Sequence, residues 1–218
     1  MRSVVVLMLL VASALQAVET VTPRPASSPE ELKSWLENMI WYHRYTLDEI
    51  QVATGLPPTK ILAAQKQWDI YPETKPERAS EQLLVLPYPG GRHSRIGFLE
   101  GAIDPQRETK LSVFLPWKPE EYVVCDVPEA IWSNLGLTYL AHTHVETVWE
   151  KEGIEMEPLE WGKEQDGAYI MSRTLPNGIV FGTKVIPKRD HVSMSMWLTN
   201  GTESPLTDLR VQNCVMLR

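Results

Sequence analysis

Residues 191–201 read HVSMSMWLTNG, and the fold is decided by this stretch. Val192, Met194, Met196 and Leu198 alternate with Ser193, Ser195 and Trp197, the period-two pattern of a strand with one buried face. Asn200-Gly201 then ends the run with a dipeptide suited to tight reversals. Working outward, short apolar runs of the same kind recur at 83–86, 110–115, 122–127, 136–144, 168–174, 179–186 and 206–217. Turn signals stand between them at Gly90-Gly91, Asp166-Gly167 and Pro176-Asn177-Gly178. No long helical pattern separates these runs, so parallel crossovers are excluded and a mainly antiparallel β-sandwich over 83–218 is expected.

Upstream the period changes. Ser28, Pro29 and Glu31 form a helix start, and Leu32, Trp35, Leu36, Met39, Ile40 and His43 then follow helical spacing along one buried face. Thr46 with Glu49 opens a second helix that Gly55 closes, and a third runs from about Pro58 to Trp68. Residues 30–70 therefore read as a small helical region, with 71–82 as a polar, proline-bearing linker. The fold class expected is α+β.

The extreme N-terminus has a separate logic. Arg2, the unbroken apolar run Val4–Val11 and the small residues Ala12, Ser13, Ala14 and Ala17 have the form of a secretory signal over 1–17, followed by a flexible leader over 18–29. The apolar run is too short to cross a bilayer, and no later run reaches the roughly 20 residues that a transmembrane helix needs. A secreted or periplasmic protein without a transmembrane segment in its mature chain is expected. Export permits a disulfide, and whether Cys125 and Cys214 pair is left open. The run Cys214–Leu217 is either a terminal strand or the last part of a sandwich shorter than its relatives would form.

The formal charge is −7 and becomes more acidic when Arg2 leaves with the signal, which argues against nucleic acid as a partner. Tyr45–Ile61 resembles a helix-turn-helix reader around Gly55, but Gln51 stands where a small residue is needed and Lys60 and Lys66 are nearly alone on the would-be recognition helix. Eight Trp and seven Tyr stand against three Phe, a bias toward rings with an apolar face and a polar edge. Such rings suit sugars and interfaces, and they also suit strands.

The strongest local cluster is His142-Thr143-His144. On a strand, residues two apart project from one face, so both imidazoles can serve one ligand, one divalent metal or one proton transfer. With Gly136 six residues ahead and Glu146 or Glu150 following, the stretch resembles the first half of the cupin metal motif. That resemblance implies a metal set of His142, His144, Glu150 and, more distantly, His191. Metal-free, His142 and His144 are the candidate catalytic pair. Trp149 beside them, and His93 and Arg95 in the loop after Gly90-Gly91, are candidate ligand contacts. Glu160-Trp161 and Arg107-Glu108 are weaker signals.

Residues 196–213, MWLTNGTESPLTDLRVQN, are similar to the strand–turn–strand of galactose-mutarotase-like sandwiches. The likeness implies the sandwich and a carbohydrate-like ligand, bound or processed, but no catalytic residue, because Asn213 and Cys214 stand near the place of the family's histidine. A cupin-like metalloenzyme is the alternative expectation, and a non-catalytic interaction module the third.

Overall fold

The structure is a computed structural model that describes residues 23, 25–78, 81–88, 108–118, 121–142, 145–157 and 159–217. The signal segment, half of the leader, the Gly90–Arg95 loop with His93 and Arg95, and His144 all lie outside the described residues.

Three layers are stacked: helices, a five-stranded sheet and a four-stranded sheet. This is the expected α+β class, with both sheets antiparallel throughout. No helix among the described residues is long and apolar enough to cross a membrane.

The helical layer starts as its sequence dictates. Ser28 Oγ accepts the Glu31 amide at 3.1 Å and Pro29 occupies the first turn of α1 (Pro29–Glu37). The expected single helix then widens into a π-helical turn, Asn38–Tyr42. Short helices follow: α2 (Leu47–Thr54) carries the Thr46/Glu49 capping box and ends at Gly55 with φ +69°, and α3 is Pro58–Trp68.

The first sheet is β1 (Leu84–Pro87), β2 (Lys110–Phe114), β3 (Tyr122–Ser133) and β4 (Gly136–Leu140) in that order, with β9 (Arg210–Leu217) on the other side of β3. The second is β5 (Gly162–Lys163), β6 (Tyr169–Thr174), β7 (Val180–Pro187) and β8 (Val192–Thr199), each paired with the next. The short helix α4 (Val148–Lys151) lies between β4 and β5.

Two cores hold the layers. Leu111, Val113, Cys125, Ile131 and Tyr139 from the first sheet meet Met171, Phe181 and Val185 from the second, forming the sandwich interior. On the opposite face of the first sheet, Phe114, Tyr122 and Val124 pack against Leu36, Met39, Ile40 and Ile61 of the helices. The first sheet is thus buried on both faces, which is why every residue of β2 is buried. The helical region is a third layer of the same body.

Strand β8 falls within its expected bounds. The 122–127 run extends to Ser133, past Pro128. The β3–β9 register skips from Asp126 to Ala130, and this irregularity gives a residue without an amide proton a place in the strand. The 136–144 run ends sooner, at Leu140, with His142 forming only an isolated bridge. Both cysteines are free: Cys125 faces the sandwich core, and Cys214 is the register partner of Asp126 on the other face.

Candidate functional site

His142 lies just past β4 and is buried. Its Nε2 is 3.2 Å from Glu129 Oε1 and 3.6 Å from Asp126 Oδ2. Asp126 stands between Lys110 and Cys214 in the β2–β3–β9 ladder, so a histidine, two carboxylates and an ammonium gather at the β3 irregularity. Burial raises the Asp126 carboxyl well above the ordinary carboxylate range, and Glu129 adds to the rise while Lys110 opposes it. Burial lowers Lys110, against the pull of Asp126, Cys214 and Glu129. Such a cluster can hold and pass a proton.

The other expected residues are placed elsewhere or have other duties. Glu150 is the third residue of α4, its carboxylate accepting from Thr147 N at 2.8 Å and Thr147 Oγ1 at 2.9 Å in a capping box. Trp149 is buried in the sandwich core and donates its indole N–H to Thr138 O at 2.8 Å. His191 is exposed in the β7–β8 turn, its Nδ1 2.7 Å from Asp190 Oδ1. Among the described residues, no three His, Cys, Asp or Glu side chains are grouped so as to hold a metal ion.

A different site emerges at the β1/β5 edge of the sandwich. Here the helical layer, β1 and the start of β5 enclose a cleft of about 500 Å³. Its aromatic lining is Trp35, Trp41, Tyr42, Tyr88, Trp161 and Tyr169; Glu31, Glu37, Glu160 and Lys163 add charge. Asn38, Trp41 and Tyr42 all belong to the π-helical turn, a distortion often found where a helix serves function.

Most of these walls are held from behind. Trp41 donates to Tyr71 O at 2.9 Å, and Asn38 Nδ2 donates to Pro87 O at 2.9 Å, tying the π turn to β1. Asn38 Oδ1 also lies 2.5 Å from Nδ1 of buried His43, whose Nε2 is 3.0 Å from Ser112 Oγ. Trp161 donates to Glu108 O at 2.6 Å. Glu108 in turn is ion-paired at 2.5 Å with Arg173 Nε, both side chains being almost wholly buried, and Arg173 also donates to Glu157 O at 2.7 Å. Burial pushes the Tyr169 phenol up to about 12, so it remains an O–H donor at neutral pH.

The Trp and Tyr excess was the signal that pointed here. Glu160-Trp161 is only a weak signal in the sequence, because its cleft partners come from the helices about 120 residues earlier in the chain, a long-range contact that spacing does not encode.

Fold and cleft together define an α+β protein of three layers with an aromatic, acid-bearing cleft at one sandwich edge. Compared with protein-family models, curated proteins and solved structures, the chain matches none.

Proposed function

We propose that the cleft binds a carbohydrate-like ligand. The observation that carries this reading is the cleft's composition: six Trp and Tyr rings with three carboxylates around about 500 Å³. Ligand pockets commonly fall in this size range and combine apolar walls with a few polar groups. Aromatic faces stack on the C–H faces of a pyranose, and carboxylates accept hydrogen bonds from its hydroxyls. The same cleft disfavours anionic ligands, since among the described residues Lys163 is the one basic residue in its lining, against Glu31, Glu37 and Glu160.

Calorimetric titration against a panel of neutral mono- and oligosaccharides tests the proposal. Trp41 is half-buried and belongs to neither core's fully buried set, so Trp41→Ala can remove a wall without emptying a core. A saturable ligand whose affinity falls about tenfold in this variant is expected, the loss of one aromatic contact being worth about 1.4 kcal/mol. Absence of binding to any neutral saccharide, or binding indifferent to Trp41, refutes the proposal.

A further inference from the structure

The edge opposite the cleft carries a different kind of surface. Val211, Val215 and Leu217 of β9 are register partners of Ile131, Cys125 and Val123, which belong to the sandwich core or pack on it, so these three face inward. Even so, Val215 is 60 % and Leu217 75 % exposed. On the facing sheet, Met194 and Met196 of β8 pair with Val185 and Thr183 on the inner side of β7, and both are exposed as well. A groove of about 190 Å³ opens between the sheets here, with Val211 on one lip, Met196 and Leu198 on the other, and Ile131 and Phe181 in its floor. The core-facing residues of two edge strands are thus uncovered.

These edges also lack the usual guards. Among the described residues, no strand pairs with the outer edge of β8 or β9. Exposed edges are ordinarily blunted by charge or proline, yet the two strands carry one charged residue between them, Arg210, in a chain of net charge −7. A second acidic copy meets no carboxylate on β9.

The sequence of β9 identifies the occupant. From residue 209 the alternate positions read Leu209, Val211, Asn213, Val215, Leu217, a palindrome centred on Asn213. Antiparallel pairing of two copies about a twofold axis through Asn213 sets Val211 against Val215 of the second copy, and Leu209 against its Leu217. All of these are exposed apolar residues. Such an axis is perpendicular to the sheet, so the inner faces of both copies lie on one side, and each β8 is brought over the seam. The identical surface is used twice, as a closed twofold interface requires.

We infer that the chain forms a twofold homodimer by antiparallel pairing of β9 with β9 of a second copy, joining the two five-stranded sheets and closing the apolar groove. Sedimentation of the full chain over a range of micromolar concentrations tests this. A dimer is expected. Val215→Lys, which puts an unpaired ammonium in the seam, weakens it about a hundredfold while the variant's far- and near-UV circular dichroism below its melting transition stays that of the parent chain, because Val215 is exposed in the single chain. Asn213→Cys in a Cys214→Ser background places two thiols opposite one another across the axis, within the span a disulfide bridges, and yields an oxidised, covalent dimer. A monomer at every concentration overturns the inference and leaves the groove to a strand from a different protein. A dimer untouched by Val215→Lys and not captured by Asn213→Cys overturns it equally.

Discussion

The two edges of this sandwich are built from the same materials to opposite ends. At the β1/β5 edge, aromatic side chains are fixed from behind by hydrogen bonds, as in Trp41 to Tyr71 O and Trp161 to Glu108 O, and carboxylates stand among them. At the β8/β9 edge, aliphatic side chains and methionines are presented with no polar support. Directional polar groups beside rigid rings select a small ligand. An unguarded strand edge with a flat apolar face selects another strand. Hydrophobicity alone does not separate the edges, whereas the hydrogen bonds behind the side chains do.

The largest effect is expected beneath the cleft. Arg173→Met leaves the Glu108 carboxylate buried without its cation, which costs about 3–5 kcal/mol. In a domain of this size that lowers the melting temperature by roughly 10 °C. Because Glu108 O accepts the Trp161 indole, saccharide affinity falls with it, whereas dimerisation through β9 is retained below the new melting point. A thermal melt unchanged from the parent chain contradicts the assignment of this pair as the support of the cleft wall.

His142→Ala sharpens the comparison from outside both edges. Removing a buried imidazole between Glu129 and Asp126 costs about 1–3 kcal/mol, read as a lower melting point. Saccharide titration and sedimentation are expected to be unchanged, since His142 lines neither the cleft nor the groove. Loss of saccharide binding with an intact melt instead moves the ligand site to His142.

A separate effect is expected on pH dependence. The folded state raises Asp126 above its ordinary value, so it retains a proton that the unfolded chain has already released. The Asp126 contribution to stability is therefore greatest at acid pH and declines as pH rises from about 4 toward the raised value. Asp126→Asn removes this limb, so the difference between variant and parent in denaturant titrations shifts with pH across that window. A constant difference across it contradicts the raised carboxyl.

Much of the fold was legible because its signals are local. The Val192–Leu198 alternation, the Thr46/Glu49 capping box and the Asp166-Gly167 and Asn177-Gly178 turns each act within a few residues of themselves. At the turns, even a close approach follows from composition: Gly178 and Gly201 meet so tightly that a Cβ on Gly201 falls 1.9 Å from Gly178 O. What could not be read depends on distant partners. Pro128 signals a break, yet β3 runs through it because β9 tolerates an irregular register there. Trp149 beside the histidines suggested a ligand contact, but α4 turns its ring into the core. Glu160-Trp161 is only a weak signal in sequence, and Trp161 acquires its place from α1, the π turn and β1.

The most direct test of the contrast between the edges is amide hydrogen exchange of the full chain, with and without a saturating saccharide found by calorimetry. Protection is predicted at the π turn 38–42, in β1 and around 160–163, with β8 and β9 unchanged. Protection confined to β8 and β9, or to the residues around His142, contradicts it.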